Sequence, residues 1–274
     1  MSVSRPATRS GLAADLATLG VRPGAVLMVH AGVKALGPVL GGVETVVAAL
    51  RDALGPAGTL VAYAGFYDDY EEQLDVDGRC PAALRDQVPA FDPVASRANP
   101  DHGLLPEAIR TTLGALRSAN PGASLTALGA RADWLTAPHP QDYGYGPGTP
   151  FARLVEAEGQ VLMLGAPLDT ITLLHHAEHL ADLPGKRIVR REVPFRAADG
   201  GTAWRMIEEY DTADPVIDGL EDDFFGTIVE AWLATGRGAD GRVGQARAVL
   251  VDAAPICRFA VEWMETRARD RRPG

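Results

Sequence analysis

A strand, a helix and a second strand follow one another closely near the start of this sequence. Residues 25–30 form an uninterrupted apolar run, which predicts a buried strand. The amphipathic residues 43–54 predict a helix that ends at Gly55-Pro56, and residues 59–63 predict the next strand. Because strands joined by a crossover helix usually pair in parallel, this order favours an α/β fold.

Further elements extend this pattern along the chain. Helices are predicted at 11–19, 104–113, 224–235 and 255–267, and strands at 124–128, 160–166, 187–194 and 202–210. The last two strands flank an Ala-Asp-Gly-Gly turn, so we expect them to pair antiparallel. The elements together predict a mixed α/β (α+β) sheet flanked by helices, in a single domain over residues 1–274. Residues 65–99 form an irregular acidic and aromatic insertion, and long loops of this kind are usually functional or disordered.

The segment 168–179 combines an apolar run with ionisable side chains. Three of the six histidines lie in it, together with a glutamate: His175, His176, His179 and Glu178. In a helix, His175, Glu178 and His179 share one face, whereas His176 points elsewhere. That face offers an imidazole and a carboxylate to hold it in one tautomer, which suits general-base chemistry.

Three interpretations of this segment remain open at this point. It can be a core helix whose histidines are hydrogen-bonded. It can be a metal site, since His175-x-x-Glu178-His179 matches the inverted zinc-peptidase pattern, although no third-ligand motif follows. It can also carry a catalytic histidine, which the rest of the chain favours.

Composition excludes several classes of protein. The net charge of −10 argues against a nucleic-acid binder, which needs a basic face, and is compatible with a cationic substrate. Cys80 and Cys257 are too few for a disulfide framework and are expected to be reduced thiols. No apolar run approaches the roughly 20 residues of a membrane span, and the first residues lack the apolar core of a secretory signal. We therefore expect a cytoplasmic protein.

The glycine-rich segments are not nucleotide-binding motifs. Residues 37–42 precede a helix but lack the Gly-Lys-Ser/Thr ending of a P-loop. Residues 143–148 follow no strand and lead to Pro150, so they are not a dinucleotide fingerprint. The helix N-terminus near Gly42 can still receive a phosphate through its free N–H groups.

Several short motifs, in their order and spacing, carry a resemblance to a known family. They are His30-Ala-Gly-Val-Lys-Ala-Leu-Gly37, Gly41-Gly42, Gly58-Thr-Leu-Val-Ala-Tyr63, Arg117-Ser-Ala-Asn-Pro121, Asp142-Tyr-Gly-Tyr-Gly146 and Leu164-Gly-Ala-Pro167 through Glu178. From about Gly11 to Glu265 the chain resembles the aminoglycoside 3-N-acetyltransferases, which are distinct from the GNAT acetyltransferases. Asn120 and the block that ends at Glu178 look most like the third subclass.

The resemblance implies transfer of acetyl from acetyl-CoA to the 3-amino group of the 2-deoxystreptamine ring, with no metal. The family's catalytic histidine matches His175, which would deprotonate the amine. Thr172, one turn earlier, would donate to the developing oxyanion or orient the thioester. Glu178 would orient His175 or steer the substrate. With no cysteine near the histidines, direct transfer in a ternary complex is expected rather than an acetyl-enzyme.

The resemblance also places coenzyme A around the loop from His30 to Gly42 and the segment Arg117-Ser118. The implied cofactor-binding residues are His30, Ala31, Gly32, Val33, Lys34, Gly41, Gly42, Arg117 and Ser118. Lys34, one of only two lysines, is the candidate phosphate contact. Many relatives carry serine where this chain has Gly32, so a hydroxyl contact to coenzyme A would here be replaced by backbone.

Aminoglycosides are polycations, so their site should combine carboxylates with aromatic rings. The two stretches that qualify are residues 66–72 and 208–214. The candidate substrate-binding residues are Tyr63, Phe66, Asp69, Glu209 and Asp211. The resemblance brings Glu209 and Asp211 near the active centre, where one of them is a candidate partner for His175. Asn120 replaces the histidine of other subclasses, so that position cannot serve as a base.

Three alternatives to this function are kept. The first is a zinc hydrolase built on His175, Glu178 and His179, and the second is an acetyltransferase of the same fold for another amine. The third is a protein that binds an antibiotic without turnover. The resemblance implies substrates of the gentamicin, tobramycin, kanamycin and neomycin type. It implies no nucleic-acid or membrane partner, and it leaves open whether the chain forms a homodimer.

Overall fold

The computed structural model describes residues 5–67, 69–211, 217, 220–221 and 224–270. One mixed sheet of seven strands lies at the centre of this structure. Its strands are β1 (Val26–Ala31), β2 (Thr59–Tyr63), β3 (Leu116–Arg117), β4 (Leu125–Gly129), β5 (Gln160–Leu164), β8 (Ala239–Val243) and β9 (Ala246–Asp252). Their order is β3-β4-β2-β1-β5-β9-β8. A separate hairpin consists of β6 (Ile188–Arg196) and β7 (Thr202–Tyr210).

The sheet has a parallel centre and antiparallel edges. Strand β1 pairs in parallel with β2, where Val26 lies opposite Thr59, and with β5, where Leu27 lies opposite Gln160. On the two sides of this centre, β4 pairs antiparallel with β2, and β9 pairs antiparallel with β5. The predicted parallel pairing and the predicted mixed α/β class are both confirmed.

Helices cover both faces of the sheet. They are α1 (Arg9–Leu19), α2 (Gly42–Leu54), α3 (Leu104–Arg110), α4 (Ala132–Thr136), α5 (Pro150–Glu156), α6 (Leu173–Leu180), α7 (Phe224–Ala234) and α8 (Ala253–Asp270). Because side chains alternate along a strand, Leu27 and Val29 of β1 join the core cluster of α1 to α3. Val26 and Met28 join the core cluster that contains α4 to α8. None of the helices in the described part of the chain combines the length and apolar character needed to cross a membrane.

The insertion packs against the β6–β7 hairpin. The strands pair antiparallel, as predicted, with Ile188 opposite Tyr210. The N–H of Phe91 donates to the Pro194 carbonyl at 2.7 Å, and that of Glu192 donates to the Gly78 carbonyl at 2.7 Å. The insertion and the hairpin also share a small apolar cluster. They therefore build one wall over the carboxyl ends of the central strands.

Some elements were not predicted from the sequence. Helix α5 begins at Pro150, where a proline without an N–H is tolerated, and no helix was predicted there. Helix α3 ends at Arg110, earlier than the predicted 113. The β8–β9 hairpin was missed because Ala-Asp-Gly-Arg-Val of β8 has little strand propensity. Its strands form because β9 is buried beside β5 and provides a template for pairing.

Candidate active site

Two cavities meet at the carboxyl ends of the parallel strands, the place where α/β folds usually bind ligands. The first, here named the acidic cavity, measures about 260 Å³, and its lining includes Phe66, Tyr70, Glu71, Arg191 and Glu209. The second, here named the β1 cavity, measures about 420 Å³, and its lining includes His30, Ala31, Gly32, His102 and Thr172. Tyr63 and His175 line both cavities. The two side chains therefore stand at their junction.

His175 is held by a carboxylate on its own helix. Its Nδ1 lies 2.7 Å from Glu178 Oε2, three residues further along α6. Because an ionised carboxylate only accepts hydrogen bonds, Nδ1 carries the proton and Nε2 keeps a lone pair. The ring contacts those of Tyr145 and Phe225, each with its centroid 4.9 Å away. The carboxylate that contacts His175 is therefore Glu178, where the sequence had offered Glu209 or Asp211 as a further candidate.

The other two histidines of α6 have different surroundings. The Nδ1–H of His176 donates to the Tyr145 carbonyl at 2.6 Å, and burial lowers the pKa of this imidazole. His179 Nε2 lies 3.0 Å from Glu209 Oε1 without the alignment of a hydrogen bond. His176 thus points away from His175, as predicted. No group of three or more His, Cys, Asp or Glu side chains in the described part of the chain is arranged to hold a metal ion.

Thr172 lies immediately before α6 and borders the β1 cavity. Its side chain is buried, and its hydroxyl donates to the Thr170 carbonyl over a long 3.3 Å. The Thr172 carbonyl accepts the N–H of His175 at 3.1 Å. The threonine is therefore close to the histidine, with a weakly engaged hydroxyl.

Part of the predicted coenzyme A loop lines the β1 cavity. His30, Ala31 and Gly32 border it at the end of β1. A Cβ added at Gly32 would lie 2.3 Å from the Gly165 carbonyl oxygen. Glycine is favoured here because the two backbone segments touch, and any contact of this position with coenzyme A would be made by backbone.

The rest of that loop lies outside both cavities. Lys34 is exposed on a short 3-10 turn, Val33–Leu36, and its neighbour Val33 packs partly against the core. Gly41 and Gly42 are exposed at the start of α2, with φ of 88° and 65°. The structure does not bring these four residues to the β1 cavity, so their contact with coenzyme A stays a prediction.

Arg117 and Ser118, the predicted second coenzyme A segment, form hydrogen bonds within the protein. The guanidinium of Arg117 donates to Ser124 Oγ at 3.0 Å, to the Ser96 carbonyl at 2.7 Å and to the Ala64 carbonyl. Burial lowers the pKa of Arg117 to about 10. Ser118 is buried, and its Oγ accepts the N–H of Leu125 at 2.9 Å. Both side chains are bonded within the protein, and neither borders the acidic cavity or the β1 cavity, so their contact with coenzyme A stays a prediction.

Ser118 instead supports a buried histidine. His139 Nδ1 lies 2.8 Å from Ser118 Oγ, and His139 Nε2 lies 2.8 Å from the Gly144 carbonyl. Because a carbonyl only accepts, Nε2 carries the proton and Nδ1 accepts from the serine hydroxyl. Burial lowers the pKa of His139 to about 4. The folded protein therefore keeps this imidazole neutral.

We expect acid to destabilise the protein through His139. Between about pH 6.5 and 4 the His139 imidazole is protonated in the unfolded chain but stays neutral in the folded protein. Its effect on the free energy of unfolding is therefore absent above about pH 6.5, and the protein loses stability as the pH falls below that value. The loss at pH 5 is about 2 kcal/mol. Urea unfolding of wild type and His139→Gln at pH 7 and pH 5 measures it. The variant should lose less stability than wild type on acidification, and an equal loss in both would contradict the assignment.

The predicted substrate residues divide into two groups. Tyr63, Phe66 and Glu209 line the acidic cavity. Asp69 is exposed and does not border it, and Asp211 pairs with Arg187 at 3.0 Å instead. Contacts of Asp69 and Asp211 with a substrate therefore stay a prediction. Residue 68 of the first acidic stretch and residues 212–214 of the second lie outside the described residues.

Four residues of the acidic cavity were not singled out by the sequence analysis, although two of them lie in its candidate stretch 66–72. They are Tyr70, Glu71, Tyr145 and Arg191. The hydroxyls of Tyr145 and Tyr63 lie 2.9 Å apart beside His175. The Tyr-Gly-Tyr-Gly segment was a signal for Tyr145, but no sequence signal distinguishes Glu71 from Asp69. Asn120 also borders this cavity, and its amide braces the loop at Pro140 and Gln141 at 2.8 and 3.0 Å.

An oriented histidine at the junction of two cavities is an arrangement that suits an enzyme acting on two substrates. The sequence places this enzyme in a particular family. The family model of aminoglycoside 3-N-acetyltransferase matches residues 28–265, and the chain belongs to this family of acyltransferases. The resemblance on which the sequence analysis relied is confirmed, and it decides for a transferase over the zinc hydrolase.

Individual relatives agree with this assignment. Aminoglycoside N(3)-acetyltransferase III of Pseudomonas aeruginosa is 46% identical over 266 residues, which cover 97% of this chain and 96% of the relative. A solved structure of AAC-IIIb in a binary complex with CoASH is 60% identical, with a TM-score of 0.94 over 96% of this chain and 98% of that one. A structure of AAC-VIa with bound sisomicin is 38% identical, with a TM-score of 0.90 over 96% and 99%.

Proposed function

We propose that His175 is the general base for direct acetyl transfer from acetyl-CoA to the 3-amino group of a 2-deoxystreptamine aminoglycoside. The observation that carries this proposal is the position of His175. Its side chain borders both cavities, while Glu178 holds the proton on Nδ1 and leaves Nε2 free to accept one. A base placed in this way reaches an amine in one cavity and a thioester in the other.

The two cavities differ in the ligands that suit them. The β1 cavity, lined by residues 30–32, 166 and 167 and bordered by Thr172, suits the slender thioester end of acetyl-CoA. The CoASH complex of the 60% identical relative supports a coenzyme A site in this chain. The acidic cavity combines Glu71 and Glu209 with aromatic rings, which suits an amino sugar. The sisomicin complex of AAC-VIa supports an aminoglycoside there.

The proposed reaction begins with removal of a proton from the 3-ammonium group by His175 Nε2. The free amine then attacks the thioester carbonyl carbon, and the Thr172 hydroxyl turns from the Thr170 carbonyl to the developing oxyanion. As the intermediate collapses, the carbon–sulfur bond breaks. The nitrogen loses its second proton, which leaves on the sulfur as free CoA thiol. The Glu178 carboxylate stabilises the positive charge that His175 carries during these steps.

The two cysteines support direct transfer without an acetyl-enzyme. Cys80 and Cys257 are both buried, and neither borders the acidic cavity or the β1 cavity. Burial also raises the pKa of the Cys257 thiol to about 11, which keeps it protonated and a poor nucleophile. We place the reaction in the cytoplasm, where acetyl-CoA is available.

The proposal is tested with purified protein, acetyl-CoA and gentamicin, kanamycin or neomycin. Free thiol should appear only when an aminoglycoside is present, and NMR of the product should place the acetyl group on the 3-amino nitrogen. Protein incubated with acetyl-CoA alone should show no acetylation by mass spectrometry. A stable acetyl-enzyme, or thiol release with other amines only, would contradict the proposal.

A further inference from the structure

A guanidinium faces the cavity that we assign to a polycation. Arg191 of β6 lines the acidic cavity and is the only lysine or arginine among the described residues that border it. It forms an ion pair with Glu71, which belongs to the 3-10 turn Asp69–Gln73 of the insertion. The two side chains are 30% and 25% exposed, so both charges are partly withdrawn from water. The wall that they form has no net charge.

The second carboxylate of the cavity is also engaged. Glu209 Oε2 accepts the N–H of Gly144 at 2.6 Å, and its Oε1 accepts the N–H of Tyr210 at 2.8 Å. Glu209 is thereby fixed as part of the scaffold. The Glu71–Arg191 pair, by contrast, joins the insertion to the hairpin and places opposite charges side by side on the lining of the cavity.

We propose that Glu71 and Arg191 together determine substrate selectivity, accepting a sugar hydroxyl in preference to an ammonium group at this wall. The inference rests on the proposed function, which places the aminoglycoside in the acidic cavity. A hydroxyl both donates and accepts, so it can bond to the carboxylate and to the guanidinium together. An ammonium group only donates, and its attraction to Glu71 is offset by repulsion from Arg191.

The test compares matched substrates that differ by one amino or hydroxyl group. Kanamycin B and neomycin carry an amino group where kanamycin A and paromomycin, respectively, carry a hydroxyl. For each pair, kcat/KM of the amine divided by that of the hydroxyl compound is measured for wild type, Arg191→Gln, Glu71→Gln and the double variant. Arg190→Gln is the matched control, because Arg190 is adjacent on β6 and pairs with Glu208 at 2.7 Å without bordering the cavity.

For at least one pair, Arg191→Gln should raise this ratio about tenfold and Glu71→Gln should lower it by a similar factor. In the double variant the ratio should return to within about twofold of the wild-type value, because the wall again has no net charge. In Arg190→Gln the ratio should also stay within about twofold, because the wall is not changed. Partial unfolding cannot produce opposite shifts in a ratio of two substrates.

Two results would overturn the inference while leaving the proposed function in place. One is a ratio that stays within about twofold of wild type in both single variants for both pairs. The other is a double variant that matches Glu71→Gln, which would make Glu71 the only reader of the substrate. If wild type acetylates none of the four compounds, the proposed function fails and the inference fails with it.

Discussion

Replacing His175 with alanine is expected to lower kcat/KM for gentamicin acetylation by more than about a hundredfold, the usual size of general-base catalysis. The substitution removes the Nε2 lone pair at the junction of the two cavities. The 3-amino group is then left protonated, and an ammonium ion is not a nucleophile. Thiol release at saturating acetyl-CoA, with gentamicin varied, measures the effect.

Two variants control this result. Asp182→Asn changes an exposed residue just beyond α6 and should leave the rate within about twofold of wild type, as surface substitutions usually do. Glu178→Gln keeps the shape of the partner of His175 but removes its charge, so it should cause a smaller loss than alanine at 175. A His175→Ala protein that retains more than a tenth of wild-type kcat/KM would exclude His175 as the base.

Replacing Glu192 with alanine is expected to destabilise the protein by about 2 kcal/mol, the usual cost of leaving a buried N–H without its acceptor together with the loss of a half-buried ion pair. Glu192 is 7% exposed and lies where the insertion meets β6. Its Oε2 accepts the N–H of Cys80 at 3.0 Å and also bonds to Arg85. Without it, the arginine loses its counter-charge and the Cys80 N–H loses its acceptor. Urea unfolding at pH 7 measures the change in the free energy of unfolding.

An exposed ion pair provides the matched control. Asp52 bonds to Arg9 at 2.6 Å, with side-chain exposures of 40% and 60%, so Asp52→Ala should cost less than about 1 kcal/mol. Glu192→Ala should also raise KM for gentamicin, because the insertion carries Phe66 and Glu71 into the acidic cavity. Equal costs for the two variants would show that Glu192 does not hold the insertion in place.

The sequence by itself determined the features that depend on spacing within one element or on the order of adjacent elements. The apolar runs at 25–30 and 59–63, with a helix between them, predicted the parallel pair β1–β2. The spacing of His175 and Glu178 placed them on one face of a helix, where they are 2.7 Å apart. Such contacts are set by helix and strand geometry alone, so neighbouring residues suffice to predict them.

Only the tertiary structure decided which polar side chains reach the cavities. Arg117 seemed suited to bind a phosphate, yet its nitrogens bond to Ser96 and Ala64, far from it in the chain. Glu71 rather than Asp69 borders the acidic cavity because Arg191, 120 positions later, pairs with it. These outcomes depend on contacts between distant segments, whose geometry exists only once the insertion has packed on the hairpin.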